Sequence, residues 1–268
     1  MIIFHCGWIN SGHGYSFNYI SPFMYFPWIA ANPLYLRMLW ILLTIKQFRG
    51  NECFFLLSQV GICNLIQISG QAIVGFTVLT SYRLFGIVDY VVIPVFACSW
   101  NVMLAMSFVL VVNRLQVICD LCMPKYTVTI LAILAWLLGF FFFLPYVTRL
   151  CPLMVKDGYL LRDPSSPYSW PLHQIEFYSS IVLICFSLLI YICIILCVLY
   201  QRFKTTVRST VLQTAELKLF LVALLEFLSC VCIDVCWCVL PEYLPDPTWN
   251  WIVINAGKFF IVGGFIQD

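Results

Sequence analysis

An all-α membrane protein, a bundle of seven transmembrane helices with the N-terminus outside, is the fold class this sequence predicts. Three observations predict it. Hydrophobic residues make up 63% of the 268, against roughly 45–50% in an average soluble domain. Charged residues make up 10%, against about 25%. The apolar residues also fall into seven long runs separated mostly by short polar stretches. A soluble fold has no interior large enough for that much apolar surface, because part of any folded surface must face water. The solvent around most of this chain is therefore lipid.

A bilayer core takes about 20 apolar residues per helix, and the runs meet that length in order. The first span, 19–45, holds Pro22, Pro27, Pro33 and Arg37. Membrane helices tolerate proline where neighbours satisfy the freed carbonyls, so a kinked helix or a late start is expected there. The second span is 53–79, and the third is 88–113, closing on Asn113-Arg114. The fourth, 127–145, is the most uniformly apolar. The fifth is 175–200. The sixth, 217–240, is ended by Pro241. The seventh, 248–265, carries Lys258 inside it. Together they make one domain, 1–268, with no repeat between its halves. The stretch 146–174 holds Pro152, Pro164, Pro167 and Pro171, which predicts an irregular surface loop.

Basic residues set the orientation, since they mark the cytoplasmic side. Lys46, Arg49, Arg114, Lys125, Arg202, Lys204, Arg208 and Lys218 fall on one side, and Arg83, Arg149, Lys156 and Arg162 on the other. The N-terminus is then outside and Arg114 faces the cytoplasm. No charged n-region with a small-residue cleavage site opens the chain, so the first apolar segment is expected to insert and stay.

Several functions are set aside by the same residues. A net charge of +2 with no basic run argues against a nucleic-acid partner. Nine of the fourteen cysteines (Cys63, Cys98, Cys185, Cys193, Cys197, Cys230, Cys232, Cys236 and Cys238) lie inside apolar runs, where cysteine acts as a small hydrophobe. Cys119 and Cys122 form a CxxC with no second pair at zinc spacing, so no metal or cofactor is expected. Cysteines beside the membrane are candidates for palmitoylation. HExxH, GxSxG and phosphate-loop motifs are missing, and His5, His13 and His173 fall in outer segments without clustered ligands. Glu226 and Asp234 are the carboxylates assigned to the spans, and no nucleophile motif accompanies them. An enzyme is not expected.

Polar residues inside a bilayer are costly and each is a candidate for function. Asn64, Gln67 and Gln71 recur at i, i+3 and i+7, on one helix face. They are either interhelical glue or part of an ion or conformational switch, and Asn101, near mid-membrane, is placed in the same network. Asp234 and Trp237 share a face before Pro241, and form either a cavity floor or part of an interfacial aromatic belt. Lys258 lies about 14 Å and Asp234 about 9 Å below the outer surface at 1.5 Å per residue, so the two are expected to pair. Arg114 is either an anchor snorkelling to the membrane border or half of a switch.

With those residues in view, the chain resembles the rhodopsin-like G-protein-coupled receptors, and within them the nematode serpentine chemoreceptors of classes x and T. The resemblance rests on seven spans, the Asn-Arg at 113–114, the lone Trp136 of the fourth span, "KQFRGNECFFLLSQVGICNLIQISGQAIVG" at 46–75 and "AELKL" at 215–219. It implies a receptor in the plasma or ciliary membrane of sensory neurons. A small-molecule ligand would lie between helices on the outer side, near Asn101, Asp234, Trp237, Asn255 and Lys258. A heterotrimeric G protein would dock at the inner ends of helices three, five and six. Arg114 takes the place of the arginine in the Asp-Arg-Tyr triplet. Asn113 replaces its acid, which implies a weaker resting lock. Asp89 stands where the family carries an outer cysteine, which leaves Cys6 and Cys151 as the candidate disulfide. The last span reads "NAGKFFIVGGFIQD" in place of Asn-Pro-x-x-Tyr, and an end at Asp268 is expected to reflect a shortened product. A transporter or channel is one alternative, and would show repeated halves and paired broken helices; a shortened, non-signalling receptor-like membrane protein is the other.

Overall fold

The computed structural model describes residues 32–45 except 34 and 38, 52–80, 86–124, 126–156, 159–163, 165–204 and six residues between 224 and 232. Over these the chain is mostly helical. The short apolar helix α1 spans Tyr35–Thr44. It is followed by α2 (Glu52–Thr80), α3 (Gly86–Ile118), α4 (Thr127–Val147), the strands β1 (Leu153–Lys156) and β2 (Tyr159–Arg162), and α5 (Ser169–Lys204). Among the described residues four helices are long and apolar enough to cross a membrane, over Glu52–Gly70, Val91–Ile118, Thr127–Val147 and Ser169–Tyr200. They coincide with the second to fifth predicted spans, as in a multi-pass membrane protein. The seventh span lies outside the described residues, and the sixth is described only in part.

Three boundaries differ from expectation, each for a local reason. Helix α3 does not close on Asn113-Arg114; it continues to Ile118. Its end comes where Asp120 enters the left-handed region at φ 49° and the Leu121 amide donates back to the Gln116 carbonyl at 3.1 Å, a closure of the Schellman type. Helix α5 begins at Ser169, six residues before the predicted start at 175. Pro171 falls in its first turn, where the missing N–H has no intrahelical partner to lose. The stretch 146–174, expected to be irregular, contains an antiparallel hairpin in the register Leu153↔Arg162 to Lys156↔Tyr159. Asp157-Gly158 lies between the paired residues, and Asp-Gly is a strong short-range hairpin signal. The four prolines obscured it.

The Asp163 amide extends the ladder to the Pro152 carbonyl at 2.9 Å. Asp163 Oδ1 then accepts from the Ser165 amide at 2.9 Å and the Ser165 hydroxyl at 2.7 Å, turning the chain toward α5. These bonds hold the Asp163 carboxyl below the usual carboxylate range.

Helix α3 is the centre on which α2, α4 and α5 pack. Of its most apolar stretch 72% is buried, against 28% in α4 and 17% in α5. Helix α4 is apolar on every side, so polarity cannot choose its inner face. Size chooses it. Val128, Ala132, Ala135, Gly139, Phe142 and Tyr146 are buried, three or four residues apart on one face. Ile130, Ile133, Leu137, Phe140 and Phe141 are exposed. Small residues let membrane helices approach closely; a Cβ on Gly139 would stand 2.1 Å from Val102 Cγ2 of α3. Leu56, Val60 and Cys63 of α2 join Met103, Met106 and Leu110 of α3 and the α4 alanines in the main core. Lower on α3, Val111 packs with Tyr191 and Ile194 of α5 and with Phe227, a residue of the predicted sixth span.

Candidate functional site

Where the hairpin meets the bundle, four elements deliver polar side chains to one point. Asn101 lies ten residues along α3 from Val91, about 15 Å at 1.5 Å per residue. Tyr146 is the penultimate residue of α4, Arg162 is the last of β2, and His173 and Glu176 lie one turn apart near the start of α5. Glu176 Oε1 accepts from Asn101 Nδ2 at 3.2 Å and from the Tyr146 hydroxyl at 3.0 Å. The other carboxylate oxygen, Oε2, pairs with Arg162 Nη2. Arg162 Nε donates to the Tyr146 oxygen at 3.0 Å, and Nη1 lies 2.6 Å from His173 Nδ1. A guanidinium has donors only, so Nδ1 accepts and the neutral imidazole carries its proton on Nε2.

A carboxylate within an apolar helix is expensive unless paired. Here the hairpin supplies the cation, and all three polar partners of Glu176 come from other elements. The Glu176 side chain is 13% exposed and that of Arg162 25%, so the pair is sheltered but reachable. Beneath it lie Cys98, Phe142, Cys151 and Leu172. Cys151 is fully buried, with its sulfur 3.5 Å from the Ser169 hydroxyl.

Glu176 was not among the carboxylates assigned to the spans, although it falls within the fifth. It stands one residue past the predicted start, beside a proline-rich stretch taken for loop. Its signal was the spacing His173–Glu176 at i, i+3. Asn101, expected in a network with Asn64 and Gln67, bonds α5 instead.

Of the α2 face predicted from Asn64, Gln67 and Gln71, the first two are buried, and they make separate ties. Asn64 Nδ2 donates to the Tyr35 hydroxyl of α1 at 2.9 Å. Gln67 Nε2 lies 3.6 Å from Met103 Sδ of α3. The Gln71 side chain lies outside the described residues. Trp136 Nε1 donates to Gln59 Oε1 at 3.2 Å, tying α4 to α2. These are bonds between helices.

At the other end of α3, Arg114 is 2% exposed, the largest of the fully buried side chains, and Asn113 is 3% exposed. Asn113 Oδ1, Ser107 Oγ and Gln116 Oε1 are buried without a hydrogen-bond partner among the described residues. An enclosed guanidinium four residues before the helix end is not a snorkelling anchor, which would keep its head in water. Asn101 and Arg114 are thirteen residues apart on α3, about 20 Å.

Just beyond that end, burial pushes the Cys119 thiol up to about 12, and Cys197 and Cys193 push it the same way. The Cys119 thiol is therefore protonated at neutral pH. Among the described residues no three His, Cys, Asp or Glu side chains gather as a metal site. Cys6, Asp234, Trp237, Asn255 and Lys258 lie outside the described residues, as does the Asp89 side chain.

No known family matches the chain, and no curated protein does either.

Proposed function

We propose that the chain is a seven-span chemosensory receptor of the rhodopsin-like, G-protein-coupled kind, with its N-terminus outside, resembling the nematode serpentine receptors. A small molecule binds between the helices on the hairpin side, and a heterotrimeric G protein engages the Arg114 end. One observation carries this reading: the central helix holds a buried Asn113-Arg114 near one end and, about 20 Å away, donates from Asn101 at its middle to a sheltered charge cluster. A switch of this kind needs two distinct sites coupled through an element with two arrangements. Helix α3, which contacts α2, α4 and α5, is the element through which both sites would be read. Catalysis forms no part of the reading.

Two measurements on the full chain in cells test it. Epitope tags at the two termini, probed on intact and permeabilised cells, should report the N-terminus outside and the C-terminus inside. Nucleotide exchange on co-expressed heterotrimeric G proteins, against a panel of volatile and water-soluble cues, should rise for at least one cue. Tags on the same side would overturn the seven-span count. Cue-driven ion flux without nucleotide exchange would overturn the receptor and favour a channel or transporter.

A further inference from the structure

The contact that fastens the hairpin to α5 depends on the protonation of one side chain. Arg162 Nη1 lies 2.6 Å from His173 Nδ1, and the guanidinium can only donate. A proton on Nδ1 would remove the lone pair that accepts this bond and set two cations against each other. Glu176 stands one turn further along α5, on the face His173 occupies, and is held by Arg162 in an ion pair. An imidazolium at 173 has the charge and the reach to take that carboxylate for itself.

The other groups around the imidazole do not supply a competing charge. Trp170 of the same helix presents its ring edge-on, 6.5 Å between centroids. Tyr146 of α4 is bonded to Arg162 and to Glu176. Cys98 of α3 and Cys151 of the connection after α4 lie in the apolar cluster beneath. Among the described residues, Arg162 from β2 and Glu176 from α5 are thus the charged groups that the imidazole meets.

We propose that His173 is a proton-binding site, and that its occupation passes Glu176 from Arg162 to the imidazolium and frees the hairpin from α5. One proton moves from water to Nδ1; the carboxylate and the guanidinium keep their charges and exchange partners. The freed state holds one proton more than the docked state, so acid favours release. Each pH unit below the midpoint raises the freed-to-docked ratio about tenfold. The window lies on the acid side of histidine chemistry, because the neighbouring guanidinium opposes the imidazolium. This goes beyond the receptor reading and stands whether or not a G protein reads the far end.

The test is amide hydrogen exchange of the full chain in lipid nanodiscs between about pH 7.5 and pH 5.5, corrected for the intrinsic pH dependence of exchange. Protection of the β1 and β2 amides should fall by up to about tenfold per pH unit as the pH drops toward the midpoint, and level off below it. His173→Asn keeps an acceptor at that position and cannot titrate, so its hairpin should stay protected throughout. An equal loss of protection in wild type and His173→Asn would overturn the proposal, because another group, Glu176 included, would then be the trigger. If His173→Asn does not fold, the slow exchange of the imidazole C2 proton gives the protonation midpoint of His173 in the wild type. That midpoint should coincide with the midpoint of hairpin release, and separate midpoints would overturn the proposal.

Discussion

Arg162 and Arg114 stand toward opposite ends of α3, and each places a guanidinium against a largely apolar bundle. Arg162 arrives from a hairpin, remains 25% exposed and meets the Glu176 carboxylate. Arg114 is part of the helix itself, is 2% exposed, and has the uncharged Asn113 beside it in the chain. The hairpin-end charge is governed by its partners, so a change of partner should move it. The other charge is governed by enclosure, so movement of the surrounding helices should move it. One end is held by its partners and the other by its enclosure.

The largest effect should follow from removing the partner at the hairpin end. Glu176→Leu leaves Arg162, Tyr146 and Asn101 without the oxygens they now donate to. Breaking a fully buried pair costs about 3–5 kcal/mol; because Arg162 keeps access to water, about 2–3 kcal/mol is expected here. Thermal unfolding in nanodiscs measures it. The double variant Arg162→Leu, Glu176→Leu should recover most of the loss, since removing both charges of a pair is far milder than removing one. If the double variant is as unstable as the single, partnership does not govern this end.

A somewhat smaller effect is expected at the seam between the two ends. Gly139→Ala drives a Cβ to within 2.1 Å of Val102 Cγ2, and overpacking of this kind costs about 1–3 kcal/mol. Val102→Ala in the same chain should relieve it. Independent, additive losses would show that α4 does not approach α3 as closely as the structure has it.

The smallest of the three concerns the enclosed end. Asn113→Asp restores an acid beside Arg114, and basal nucleotide exchange should fall about fivefold or more, the scale of a typical coupling energy. Unchanged basal exchange at equal surface expression would mean that Asn113 does not set the resting state.

Much of this architecture could be read from the residues, and the failures have physical causes. The predicted spans 53–79 and 127–145 lie within two residues of α2 and α4, because long apolar runs bounded by polar turns leave little choice. The far end of α3 was misjudged because a charge looks like a boundary, whereas Leu115, Val117 and Ile118 carry the helix another turn. The hairpin was hidden by four prolines, although Asp157-Gly158 announced it. Glu176 was hidden by its position at a span edge, since burial depends on what folds over a residue, and here Arg162 does. The inner face of α4 was illegible by hydropathy because both faces are apolar; Ala132, Ala135 and Gly139 carried the information as size.

In the proposed receptor, the enclosed arginine at the far end of α3 is the switch that a G protein would read. Arg114→Lys tests it most directly, because lysine keeps the charge and loses the planar, multidentate guanidinium. The measurement is cue-stimulated nucleotide exchange at matched surface expression. A loss to about a tenth or less of wild-type exchange is the result this account predicts. Full exchange by the lysine variant would contradict it and reduce Arg114 to a packed cation.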